Sequence, residues 1–168
     1  MSEREFASLG HELVGLVVSR EEAVFVEPDV VFFGRLASRG DPADRAFFAA
    51  LSSTYPQSVW PVYVDQQTDV SGCTRFGSGT LVSTYLAWTA VRRQYPMRHE
   101  EASGRHLDDI VKELTESTRA CSDRASVERE LAEFLRREAD TDVRTRVEGR
   151  LAAVRSSGAN IRFTCKSG

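Results

Sequence analysis

The stretch Asp69 to Thr80, DVSGCTRFGSGT, is the part of the chain whose residue types best suit a ligand. Its glycines run into an apolar segment of helical character. Backbone amides left free at a helix start form a cradle for negative charge, and Arg75 would add a cation. Arg75, Gly77, Ser78, Gly79 and Thr80 therefore form a candidate anion site. The same residues suit a tight turn: Gly77 and Gly79 permit positive φ, and Ser78 or Thr80 can cap the helix. Glycine turns outnumber ligand loops, which makes the turn the favoured reading.

Gly72, four residues and Gly77 repeat the glycine spacing of a nucleotide-binding P-loop, but Ser78 and Gly79 stand where that motif carries Lys and Ser or Thr. Those two positions hold the phosphate and the magnesium, so an ATPase is excluded. Among the carboxylates, Pro28-Asp29 followed by Asp65-Gln66-Gln67 resembles the PD-(D/E)xK nuclease pattern, with glutamine in the lysine place. The resemblance implies a divalent metal held by Asp29 and Asp65, with Asp69 a third candidate, activating water for hydrolysis. Against it, a capped helix over 42 to 54 separates the two elements, and the assisting lysine is missing.

The histidines and cysteines add little. His11 begins HELVG, which starts like HExxH but has Gly15 in place of the second metal ligand. His99 and His106 flank a polar stretch and read as a solvated loop. Cys73, Cys121 and Cys165 contain no CxxC pair, so neither a zinc site nor a disulfide framework is expected, and no cofactor or metal is implied. A triad of Cys73, a histidine and an acid would have to be assembled in space, without support from spacing.

The last chemical feature is basic. Arg144, Arg146, Arg150 and Arg155 crowd one helical segment, and residues 141 to 168 carry a net charge of +4, against -6 for residues 1 to 70. Such a face suits a protein partner, a second copy or nucleic acid. Interleaved acids, Asp142 to Arg146 for example, also suit an ordinary solvated face, and no aromatic side chains alternate with the arginines as in single-strand binders.

The elements that would position these residues follow from periodicity. Phe6, Leu9, Leu13, Leu16 and Val17 predict a helix over about Glu3 to Ser19. AVFVE and VVFF, on either side of Glu27-Pro28-Asp29, predict two short strands. Asp41, Pro42, Asp44 and Pro56 frame a helix. VWPVYVD predicts an edge or bulged strand. LVSTYLAWTAV, apolar nearly all round, predicts the most buried helix, ending before Tyr95-Pro96. MRHEEASG has the polarity of a connector.

Three amphipathic helices then follow, with stripes Leu107-Ile110-Val111-Leu114, Val127-Leu131-Phe134-Leu135 and Val143-Val147-Leu151-Val154. Gly158 suits a C-cap, and IRFTC a final short strand. The expected architecture is α+β: a mixed helix and short-strand half over about 1–95, a helical half over about 104–157, and one domain over 1–168 with a sub-boundary at 96–104.

Chain length and composition (168 residues, 41% hydrophobic, 28% charged) suit a folded soluble domain. No run approaches the ~18 apolar residues of a membrane span, and the charged MSEREFASLG start lacks a signal-peptide core. A cytoplasmic protein without membrane partners is expected. The arginine bias suggests a bacterial source. With no catalytic constellation visible, the leading expectation is a non-enzymatic accessory subunit that binds a protein partner or itself through the charged C-terminal helices. The alternatives are a metal-dependent hydrolase or nuclease using Asp29 and Asp65, and a nucleic-acid, nucleotide or anion binder.

Overall fold

Asp41 starts one helix as the sequence dictates: its Oδ1 accepts from the Asp44 N–H at 3.0 Å, and Pro42 takes the first helical position, where no N–H is needed. In the computed structural model this helix spans Pro42–Thr54. The structure describes residues 2–20, 23–56, 61–63, 75–120, 122–137 and 141–163. Among them are seven helices, an antiparallel hairpin and a short parallel strand pair, an α+β architecture. The chain divides into two compact units, 1–61 and 62–168. The expected sub-boundary at 96–104 falls inside the second.

In the first unit, α1 (Glu3–Glu12) is opened by a Ser2–Glu5 capping box. It stops well short of the expected Ser19. Gly15, at φ +82, turns the chain into β1 (Leu16–Arg20), and a Cβ there would lie 2.9 Å from the rings of Phe32 and Phe33. β1 pairs with β2 (Val24–Pro28) in the register Leu16↔Pro28, Val18↔Val26 and Arg20↔Val24. VVFF is a helix and not a strand: it lies in α2 (Val30–Ala37), because the Asp29 carboxylate accepts from the N–H groups of Val31 (3.0 Å) and Phe32 (2.9 Å). A side-chain cap at the right place overrides β-branched propensity. Helix α3 (Pro42–Thr54) brings Phe48 flat against Phe33, with centroids 5.2 Å apart, while Phe32 and Phe47 meet their neighbours edge-on.

The second unit holds α4 (Thr80–Gln94), α5 (Glu100–Glu116), β3 (Arg119–Ala120), α6 (Arg124–Arg137), α7 (Thr141–Arg155) and β4 (Arg162–Phe163). As expected, α4 is deeply buried, through Leu81, Val82, Thr84, Tyr85, Trp88 and Val91. MRHEEASG is not all connector: α5 begins at Glu100 and carries Ser103 into the interior. The stripes of α5, α6 and α7 bury Leu107, Ile110, Val111, Leu114, Val127, Leu131, Phe134, Val147, Leu151 and Val154. Each large apolar side chain so buried is worth roughly 1.5–3 kcal/mol. After α7 the left-handed residue is Ser157 (φ 61), where Gly158 was expected to serve, and the chain returns to pair parallel with β3. Of VWPVYVD, only Pro61, Val62 and Tyr63 are described, and Val62 and Tyr63 form a turn.

Candidate functional site

At the glycine loop the backbone amides meet a carboxylate of the chain itself. Helix α4 starts at Gly79 (φ +83) with no side-chain cap of its own. The hydroxyls of Ser78 and Thr80 meet each other at 2.8 Å, and Ser78 Oγ also donates to the Arg75 carbonyl at 2.6 Å. Ser78 Oγ accepts from the Thr80 N–H at 3.2 Å, which leaves the N–H groups of Leu81 and Val82 without a local side-chain acceptor. Glu130, from α6, reaches across instead. Its Oε2 accepts from the Gly77 N–H at 2.5 Å, and its Oε1 accepts from the N–H groups of Leu81 (3.1 Å) and Val82 (3.5 Å). The Gly79 N–H also bonds this carboxylate.

Only 2% of Glu130 is exposed. Burial raises its pKa above the ordinary glutamate value, and the four backbone N–H groups pull it back down. Gly77 is required for this approach. At φ +93, a Cβ there would lie 1.8 Å from Ser122 Oγ, which itself donates to the Phe76 carbonyl at 2.8 Å.

A second polar cluster lies on α5. His106, expected in a solvated loop, stacks on fully buried Trp88 (centroids 4.3 Å, interplanar 15°), and its Nδ1 is hydrogen-bonded to the Tyr63 hydroxyl at 2.8 Å. Burial, with Arg105 alongside, lowers its pKa from 6.5 to about 4, so the ring is neutral at physiological pH. Tyr63 also lines a cleft of about 450 Å³ with Asp109, Lys112, Glu113, Glu116, Ser117 and Thr118. Burial and the neighbouring Asp108 raise the Asp109 carboxyl. A neutral imidazole and a phenol can pass a proton or orient a polar ligand. No group of three metal-ligating side chains occurs among the described residues.

The arginines of α7 each contact groups within the chain, Arg144 and Arg150 half-buried and Arg146 and Arg155 exposed. Arg144 bonds Glu148 at 2.9 Å and donates to the Leu135 carbonyl at 2.6 Å. Arg146 reaches Thr115 Oγ1 (3.0 Å) and Glu116 (3.3 Å), Arg155 lies 3.8 Å from Glu128, and Arg150 donates to the Ser117 carbonyl. Burial lowers the Arg150 pKa, and Glu113 pushes it back up. Arg124 closes the seam from the other side, donating to the Val154 carbonyl (2.7 Å) and Ser157 Oγ (2.8 Å).

Of the proposed metal carboxylates, Asp29 is the cap of α2, while Asp65 and Asp69 lie outside the described residues, as do all three cysteines. His11 is exposed on α1. Sequence reasoning passed over Glu130 and undervalued His106. The signal for Glu130 was present: it stands three residues after Val127 and four before Phe134, a carboxylate inside an apolar stripe. Among the described residues no helix is long and apolar enough to cross a membrane. Compared with known proteins, the chain matches no family model, no curated protein and no solved structure.

Proposed function

We propose that the chain is a non-enzymatic partner-binding protein, and that its docking surface is the hairpin and α2 of the first unit. One observation carries this reading. Of the seven exposed large apolar side chains among the described residues, six lie between Val14 and Leu36; Val31 is 63% exposed and Val26 45%. Apolar surface gathered in so short a stretch is the mark of an interaction site.

The hairpin register puts Leu16, Val18, Arg20, Val24, Val26 and Pro28 on one face, and on the other Val17 with Glu27, which is hydrogen-bonded to Tyr55. Residues 1 to 61 carry five basic and nine acidic side chains, a net charge of -4. The occupant that fits is an apolar protein segment flanked by basic residues; like charge disfavours a second copy of the same unit. The arginines of α7, expected to form this surface, each have a contact within the chain, which favours the first unit over the C-terminal docking route and the nucleic-acid reading. A cytoplasmic, bacterial setting is part of the same proposal.

The test compares wild type with Val26→Lys and Val31→Lys. Each variant changes an exposed position, so melting should move little. The expected result is a protein that co-purifies with wild type, is lost with both variants, and cross-links to the hairpin through a segment containing Lys or Arg. A wild type that elutes alone as a monomer, or variants that keep every wild-type partner, would refute the proposal.

A further inference from the structure

We infer that the backbone amides of Gly77, Gly79, Leu81 and Val82 form a carboxylate-binding cradle that the chain fills with its own Glu130, a tethered ligand that locks α4 to α6. The cradle has the parts of a soluble-anion site. Gly77 and Gly79, both at positive φ, present their N–H groups, the helix start adds its partial positive charge, and the only local side chain at that start, Ser78, takes the Thr80 N–H and leaves those of Leu81 and Val82 to Glu130. The occupant has the marks of a ligand in place. Both carboxylate oxygens are engaged, the group is almost wholly withdrawn from water, and it comes from a residue 53 positions away from Gly77.

Its charge is balanced by backbone N–H groups and no side-chain cation contributes to its pKa shift, so the contact depends on the anion and the amides. Two consequences follow. Soluble phosphate or nucleotide finds these donors already satisfied, and the N–H groups of Gly77, Leu81 and Val82 keep their acceptor only while α6 is in place. Glu130 acts as a positioning residue, and the ligand class of the vacated cradle is a small carboxylate.

The test is chemical rescue of Glu130→Ala in the full chain. Acetate has the same heavy atoms as those the substitution removes. With four amides left bare, melting followed by circular dichroism should fall by roughly 10 °C. Sodium acetate should then restore much of the loss saturably, while acetamide or sodium chloride at the same concentration should not. Wild type should respond to neither acetate nor inorganic phosphate.

The inference is overturned by a variant as stable as wild type, by equal rescue with acetate and acetamide, or by a saturable shift of wild type with phosphate. If Glu130→Ala does not fold, recovery of its native spectrum in acetate supports the cradle, and failure to recover it overturns the cradle. Glu130→Gln keeps the shape but removes the charge; wild-type melting in that variant would likewise overturn the inference.

Discussion

His106 makes the stability of the chain depend on pH in a window that can be computed. Folded, the ring titrates at about 4; unfolded, it should return to 6.5. A base with a depressed folded pKa is protonated first in the unfolded state, so stability is intact above about pH 7, declines as the pH falls from 6.5 toward 4, and levels off below. At about 1.4 kcal/mol per pKa unit, the gap sets a ceiling near ~3 kcal/mol. The ring is only partly buried, and solvent screening reduces that to roughly 1–2 kcal/mol. Carboxylates, the raised Asp109 among them, titrate in the same range, so wild type alone cannot isolate the effect.

The assay is urea unfolding at pH 7.5, 6, 5 and 4.5 for wild type and His106→Gln, which keeps a polar side chain that does not titrate. The difference between the two stability curves should shift against wild type by roughly 1–2 kcal/mol across this range. Proton NMR of the imidazole should place its midpoint near 4. Parallel curves, or a midpoint at 6 or above, would refute the claim that stacking on Trp88 and the bond to Tyr63 hold the ring neutral.

Two further predictions separate close approach from conformation and stability from binding. Gly77→Ala must suffer both the left-handed backbone penalty and the collision with Ser122, for a cost of about 2–4 kcal/mol, whereas Gly79→Ala, at φ +83 with nothing within 4 Å of its Cβ, should cost only about 1–2; equal urea midpoints would refute this. Arg150→Glu places a carboxylate beside Glu113 and frees the Ser117 carbonyl, and should cost roughly 1–3 kcal/mol, while the half-exposed Arg146→Glu should cost less than about 1; two variants as stable as wild type would mean that these arginines do not hold α7 to α5.

What could be read in the sequence was what is decided locally. The helix from Pro42 to Thr54 was legible because its cap, proline and acidic first turn lie within four residues. The stripes of α5, α6 and α7 were legible because helical periodicity and burial agree there. The errors share a cause. The three- and four-residue spacing from Phe6 to Val17 runs through Gly15, which the fold uses as a turn because Phe32 and Phe33, distant in sequence, close on it. VVFF has strand propensity, yet Asp29 immediately before it was a visible cap. The polarity of MRHEEASG hid a helix whose acidic first turn, Glu100 and Glu101, was the available clue. His106 and Glu130 each take their role from residues 43 and 53 positions away, Tyr63 and Gly77, and no periodicity reports a partner at that range.

The charge asymmetry of the chain acquires a physical meaning from the same contacts. A basic C-terminal segment looks like a surface in search of acidic or nucleic-acid partners as long as its helices are considered singly. Placed beside α5 and α6, Arg146 meets Glu116, Arg155 meets Glu128 and Arg150 faces Glu113, so much of the excess is consumed where three helices with one apolar stripe each must also be joined by their polar edges. Exposed pairs of this kind add little stability, but donations to the Ser117, Leu135 and Val154 carbonyls fix the register of the seam. The first unit keeps an acidic excess beside its exposed valines. On the proposed docking, apolar area there would supply affinity while the surrounding charge selects the partner, so binding by the first unit should weaken with salt, whereas the apolar stripes that carry the helical seam of the second should hold.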